Sequence, residues 1–219
     1  MILDVLGEVL PLAVGVAISP IPIVAAILML LSRDADAASL GFGLGWVAGI
    51  FSATGLLTFG ARWIDPGDGQ PSAAASWVKI GLGVALVALA IRQWRSRADT
   101  SVPGWMRAID GLTAVKAAGL GLALSAINPK NLLLCVSAGV AIGTAGLGAG
   151  EQVVTVALFT VLAAVSVLVP VVGYAVAADR LRGPLDATKN WLQANNHAVL
   201  ATLLLVMGAV VLGKGLSGL

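Results

Sequence analysis

The chain has 219 residues, of which 58% are hydrophobic and 11% charged, and its mean hydropathy is +0.98. This composition is too apolar for a soluble domain and predicts a polytopic membrane protein. The formal net charge of +2 comes from short loops and does not indicate nucleic-acid binding. One cysteine excludes an intramolecular disulfide. One histidine, without a cluster of cysteines or carboxylates, indicates neither a metal site nor a cofactor.

Six apolar runs are long enough to cross about 30 Å of hydrocarbon, for which a helix needs about 20 residues. These runs cover residues 5–31, 39–60, 76–94, 112–144, 153–177 and 197–217. We therefore expect an all-α membrane protein with six transmembrane helices. A single transmembrane domain is expected to cover residues 1–219.

The first and fourth runs are too long for one straight helix, and each has a proline near its middle. Proline removes a backbone donor and clashes with the preceding turn, so both helices are predicted to be broken. Polar residues beside these prolines would lie in mid-bilayer, where they are expected to face a cavity. Two opposed breaks at the midplane are typical of a transporter's substrate site. The residues assigned to that site are Ser19, Pro20, Pro22, Ser125, Asn128, Pro129, Lys130 and Asn131.

Basic residues concentrate in alternate loops. They are Arg33 after the first run, Arg92, Arg95, Arg97 and Arg107 after the third, and Arg180, Arg182 and Lys189 after the fifth. By the positive-inside rule these loops are cytoplasmic. We expect a multi-pass protein of the cytoplasmic membrane with both termini outside.

The two halves resemble each other weakly at an offset of 109 residues, which places Pro20 on Pro129 and Ile18 on Ile127. Each half has three spans, an odd number, so the halves must insert in opposite senses. The sequence therefore predicts two inverted three-helix repeats, residues 1–95 and 110–219, joined by a cytoplasmic linker, residues 96–109. An inverted repeat provides two near-equivalent conformations, as alternating access requires.

Lys130 is the only charge expected at the bilayer centre, and two roles remain open for it. It contacts substrate, or its ammonium caps carbonyl groups freed by Pro129. Asn128 and Asn131 divide in the same way, with backbone repair favoured. Half-helices beginning near Ile23 and Leu132 would direct their positive N-terminal ends at the centre, which suits a carboxylate, phosphate or sulfate group. No carboxylate is expected at the midplane, which argues against cation transport.

Glycines recur at four-residue intervals on two helices. Gly41, Gly45 and Gly49 lie on the second span, and Gly139 and Gly143 lie on the fourth. Small residues at this interval let helix backbones approach closely in lipid. Packing within one subunit is favoured over a dimer seam, although the sequence does not separate the two.

Residues 184–195 lie between the fifth and sixth runs and carry apolar residues on one helical face. This pattern fits a short interfacial helix or a plain amphipathic linker. The linker is the favoured interpretation.

Two motifs within six spans resemble the LysE superfamily of small-molecule exporters, and more closely its GAP branch, the sulfolipid- and glycopeptidolipid-addressing proteins. The motifs are Ser19, Pro20, Ile21 and Pro22 in the first helix and Asn128, Pro129, Lys130 and Asn131 in the fourth. The resemblance implies export across the cytoplasmic membrane, of amino acids in the LysE branch and of envelope glycolipids, directly or as an accessory, in the GAP branch. LysE-type exporters usually have a glycine between the two prolines of the first motif. Ile21 departs from that pattern and argues against an amino-acid substrate.

Two functions follow as hypotheses. The first is a secondary transporter that exports an anionic or zwitterionic solute or an envelope lipid by alternating access. The second is a non-transporting accessory scaffold of an envelope-lipid export machine, docking through its basic loops. An enzyme is not expected, because no nucleophile, base or metal constellation is evident. The expected partners are the lipid bilayer, a small-molecule or lipid substrate, and a homodimer or export complex.

Overall fold

The computed structural model of the chain describes residues 1–32, 34–61, 73–96, 109 and 111–218, without the side chains of residues 178 and 179. Eight α-helices form within these residues. They are α1 (Ile2–Ala17), α2 (Pro20–Leu30), α3 (Ala35–Ala61), α4 (Ala73–Arg95), α5 (Ala114–Ala126), α6 (Pro129–Gly143), α7 (Ala149–Ala177) and α8 (Arg180–Leu216). Most of the predicted linker 96–109, together with Arg33, lies outside the described residues.

Both predicted helix breaks are present. The axes of α1 and α2 meet at 52°, and those of α5 and α6 meet at 63°. Ser19 (φ −102°, ψ 105°) and Asn128 (φ −60°, ψ 120°) have extended backbone at the breaks. Each of these residues precedes a proline, whose ring disfavours helical backbone in the residue before it. The break is therefore a local consequence of the sequence.

The bent pair α1–α2 extends from one end of the bundle to the other. Glu8 of α1 pairs with Lys214 near the end of α8, at 3.3 Å between Oε1 and Nζ. Ile27 and Leu30 of α2 cluster instead with Leu185, near the start of α8. Leu185 and Lys214 are about 44 Å apart along α8 at 1.5 Å per residue. We refer below to the Lys214 end and the opposite, Arg92 end of the bundle.

The bent pair α5–α6 runs along the whole of α3, and glycines form the contact. A Cβ at Gly41, near the start of α3, would collide with the carbonyl group of Ala114 at the start of α5. A Cβ at Gly143, at the end of α6, would collide with the carbonyl group of Thr58 near the end of α3. The predicted close packing of these glycines within one chain is confirmed.

In each half, the second helix packs on the bent helix pair of the other half. The second helix of the first half, α3, packs on α5 and α6. Its counterpart α7 reaches the α1–α2 break, where Ser166 Oγ donates to the Ala17 carbonyl at 2.5 Å. The third helices, α4 and α8, pack on each other through Gly83, Gly208 and Gly215.

The segment 184–195 is neither a linker nor a separate interfacial helix. It forms the first part of α8, a helix of 37 residues that continues into the last span. Leu185 and Leu192 are buried on its inner face. The 37 residues of α8 extend about 55 Å, which exceeds the hydrocarbon thickness of about 30 Å.

Four of the described helices, α3, α4, α7 and α8, are each long and apolar enough to cross a membrane. Each bent pair, taken as one broken span, is also long and apolar enough to cross, which gives four to six candidate spans. Large apolar side chains such as Leu44, Leu56 and Val172 are exposed on the outside of the bundle. A bilayer would cover such a surface, and the chain is a multi-pass membrane protein.

Candidate functional site

The two helix breaks meet in the middle of the bundle through a chain of hydrogen bonds. Lys130 Nζ donates to Ser19 Oγ at 2.7 Å, and Ser19 Oγ donates to Asn131 Oδ1 at 2.9 Å. All three side chains are buried, with Lys130 at 7% exposure. Residues more than 100 positions apart in the sequence therefore form one polar network at the centre of the fold.

Lys130 caps a backbone carbonyl group, although not one freed by Pro129. Its Nζ donates to the Ile18 carbonyl at 3.3 Å. Within a helix that carbonyl would accept from residue 22, but Pro22 has no N–H. Of the two roles left open for Lys130, capping occurs at the opposing break rather than at its own, and contact with substrate stays a prediction. An ammonium has three donors and two are used here, so one remains for the adjoining cavity.

The asparagines repair the second break, as the favoured interpretation predicted. Asn131 Nδ2 donates to the Leu124 carbonyl at 3.0 Å. Asn128 is the N-cap of α6, and its Oδ1 accepts from the Lys130 backbone N–H at 3.1 Å. Such N-caps satisfy donors that the first turn of a helix leaves without partners. Satisfying these groups matters most where hydrocarbon replaces water.

Both half-helices direct their N-termini at the centre, and each begins three residues earlier than predicted. α2 starts at Pro20 rather than near Ile23, and α6 starts at Pro129 rather than near Leu132. The positive ends of two helix dipoles therefore lie close to Lys130, which favours an anion at this place.

A central cavity of about 360 Å³ lies against this network. It is lined by Ser19, Ile21, Pro22, Leu89, Arg92, Gln93, Ser96, Asn128, Pro129, Lys130, Asn131, His197, Leu200 and Leu204. Among these lining residues, two are basic, Lys130 at the base and Arg92 at the mouth, and none is a carboxylate. The electrostatic field of the cavity attracts anions.

The mouth of the cavity contains residues to which the sequence assigned no site role. Arg92 and Gln93 come from the end of α4, and His197 comes from α8. His197 Nδ1 lies 2.9 Å from Gln93 Oε1, so these side chains join the third helices of the two halves. The sequence offered no clear signal for this contact, because Gln93 and His197 lie 104 residues apart on helices that meet only in the folded chain.

Two residues assigned to the site from the sequence do not line the cavity. Ser125 is fully buried and donates to the Gly121 and Leu122 carbonyls of its own helix. Its side chain faces Gly49 on α3. Pro20 is buried beside the break without lining the cavity. The cavity thus includes six of the eight assigned residues.

Ser19→Ala is expected to lower the free energy of unfolding by about 1–2 kcal/mol, because it removes two of the three hydrogen bonds that link the breaks. Thermal unfolding in detergent measures the effect. The matched control is Ser32→Ala, which removes a hydrogen bond local to the end of the same bent pair. Equal destabilisation by the two variants would contradict a coupling role for Ser19.

The fold and the site define a class of protein: a helical multi-pass membrane protein in which two proline-broken helices face each other across a positively charged cavity. A family model described as Sap, sulfolipid-1-addressing protein, matches residues 9–217. The chain belongs to this family, which confirms the resemblance to the sulfolipid-addressing branch. Comparison with curated proteins and with solved structures gave no match.

Proposed function

We propose that the chain is a secondary transporter that exports an anionic envelope lipid or solute across the cytoplasmic membrane by alternating access around Lys130. The observation that carries this proposal is the central cavity, which has Lys130 at its base and no carboxylate among its lining residues. The family, which is described by the addressing of a sulfolipid, favours a cargo with a sulfate or similar group. The proposal includes no catalytic step and no cofactor.

The size of the cavity favours recognition of a headgroup rather than of a whole lipid. About 360 Å³ falls at the lower end of small-molecule sites, which span about 300–1,000 Å³. A sulfated or phosphorylated sugar fits such a volume, whereas long acyl chains do not. We infer that the chains of a lipid cargo remain in the bilayer while the headgroup enters between the helices.

The proposed orientation places the Arg92 end of the bundle in the cytoplasm. The described basic residues at this end include Arg92, Arg95, Arg180 and Arg182, and the positive-inside rule favours such a cluster on the cytoplasmic side. In this orientation each bent pair is one span, six spans result, and both termini are outside. The cavity mouth at Arg92 then opens to the cytoplasm, as an exporter ready to load requires.

A non-transporting accessory is the second candidate, and the exposed basic residues Arg180 and Arg182 favour it. At the start of α8, they form a surface suited to a partner protein or to anionic lipid. In this reading the basic surface carries the function, and the central network serves only to repair the helix breaks.

Labelling of the cavity distinguishes the two candidates. Ile21 lines the cavity, so Ile21→Cys in a Cys135→Ala background is expected to react with a bulky, membrane-impermeant thiol reagent from the cytoplasmic side. For a transporter, labelling at this position blocks export. Arg95→Cys is the control, because it lies at the same end on the exposed surface and does not line the cavity. Normal export by fully labelled Ile21→Cys would contradict the transporter.

A further inference from the structure

A second cavity, which we name the distal cavity, lies at the Lys214 end of the bundle. Its volume is about 420 Å³. Three charged residues line it: Glu8 of α1, Lys79 of α4 and Lys214 of α8. Each half of the chain contributes to this cavity, as each half contributes to the central one. Neither the sequence nor the family description assigns it a role.

Among the described residues that line the distal cavity, the charges are unbalanced, because two ammonium groups share one carboxylate oxygen. Glu8 Oε1 lies 3.3 Å from Lys214 Nζ and 3.7 Å from Lys79 Nζ. Lys214 Nζ also donates to the Glu8 backbone carbonyl at 3.2 Å. The Lys79 contact is too long for a strong hydrogen bond. Two lysines converging on one oxygen leave donors for a further oxyanion.

Glu8, Lys79 and Lys214 lie at the boundary between the distal cavity and the packed region that separates it from the central cavity. A void of only about 10 Å³ lies beneath it, and Leu12, Ser137 and Val211 contribute to its walls. Deeper in the bundle, Gly15 faces Leu134 and Met207 so closely that an added Cβ would press on both. Packed side chains therefore separate the central cavity, which opens at the Arg92 end, from the distal cavity.

We propose that the distal cavity is a second oxyanion site, which receives the sulfate or phosphate group of the cargo after it leaves Lys130. The Glu8 carboxylate occupies the two lysines while no cargo is bound. An arriving oxyanion takes its place, and this exchange loosens the contact of α1 with α4 and α8 on the exit side. That the occupant is the cargo depends on the proposed function, whereas the oxyanion site itself depends only on the contacts of Glu8, Lys79 and Lys214.

A cysteine in the distal cavity tests the proposal. Ala145 lines this cavity, so Ala145→Cys with Cys135→Ala reports its occupancy through the rate of thiol labelling in lipid nanodiscs. A sulfated galactosylceramide is expected to slow the labelling, and uncharged galactosylceramide is not. The half-protecting concentration is the concentration of sulfated lipid that halves the labelling rate. Lys79→Gln and Lys214→Gln are each expected to raise it about 10-fold, because each removes a donor to the anion. Glu8→Gln is expected to lower it, because the competing charge is lost.

Two controls make the result specific. Lys189→Gln removes a lysine that pairs with Asp186 near the start of α8, and it is expected to leave protection unchanged. Lys79→Arg keeps the positive charge and is expected to keep protection. If a lysine variant fails to fold, the Glu8→Gln result tests the oxyanion site instead. Protection at a lower lipid concentration does not arise from misfolded protein. Unchanged protection in Glu8→Gln and in both lysine→Gln variants overturns the oxyanion site.

Ile21→Cys, labelled in parallel, separates this proposal from the proposed function. Protection at Ile21→Cys with none at Ala145→Cys overturns the distal site and leaves the transporter intact. Protection at Ala145→Cys alone overturns the central site instead. Inorganic sulfate is tested as a separate arm. Protection of Ala145→Cys by free sulfate but not by the sulfated lipid overturns the assignment of the distal site to a lipid headgroup.

Discussion

Lys130→Met is expected to weaken binding of a sulfated sugar in the central cavity by about 10- to 100-fold, the loss expected when one charged hydrogen bond to an anion is removed. Lys130 is buried at the base of the cavity, and no carboxylate among the lining residues neutralises it. Methionine keeps the length and apolar body of the side chain while removing the charge. Protection of Ile21→Cys from labelling by glucose 6-sulfate measures the binding, with glucose as the uncharged comparison.

The matched control for this result is Lys116→Met. Lys116 lies on α5, in the same bent pair, and its side chain is exposed away from the cavity. We expect this variant to bind glucose 6-sulfate as the wild type does. Lys130→Met also removes the cap on the Ile18 carbonyl, so its folding is verified by gel filtration before binding is compared. Undiminished protection in a folded Lys130→Met protein would show that the lysine only repairs the helix break.

Gly45→Leu is expected to destabilise the protein by more than about 3 kcal/mol, beyond the usual cost of overpacking. A Cβ at Gly45 would collide with the carbonyl group of Ala118 on α5. The obstacle is backbone, so no side-chain rotation relieves it, and α3 must move away from the bent pair that supports the site. The yield of monodisperse protein and its thermal unfolding in detergent measure the effect.

Gly55→Leu is the matched control on the same helix. A Cβ at Gly55 meets no atom within 4 Å, and its neighbour Leu56 is exposed on the outside of the bundle. The substitution is therefore expected to leave the protein folded. If Gly45→Leu and Gly55→Leu were equally stable, the close approach of α3 and α5 would not be essential to the fold.

The helix breaks were predictable because their causes are local. Pro20, Pro22 and Pro129 dictate where the backbone leaves the helix, and apolar run length dictates where the helices end. α2 and α6 begin three residues earlier than predicted, at Pro20 and Pro129, because proline is accepted at the first position of a helix. The first part of α8, residues 184–195, was missed because the sequence pattern marks an amphipathic segment without showing whether the helix continues.

The partners of the polar residues were not predictable, because they depend on packing between distant segments. One of the two roles left open for Lys130 was to cap carbonyl groups freed by Pro129, yet its carbonyl partner is Ile18, 112 residues away. Gln93 and His197 lie on different halves and meet only because the third helices pack together. Periodicity and spacing describe single helices, whereas the site forms only when four stretches of the chain are in place.

Mass spectrometry of anionic envelope lipids tests the central claim most directly. Surface-extractable and cell-retained lipids are compared in cells that lack the protein and in cells that carry the wild type, Lys130→Met or Lys116→Met. We predict that one sulfate- or phosphate-bearing lipid is lost from the surface and accumulates inside without the protein. The wild type and Lys116→Met restore it to the surface, and Lys130→Met does not. Full restoration by Lys130→Met would contradict transport through the central cavity and would favour the accessory function.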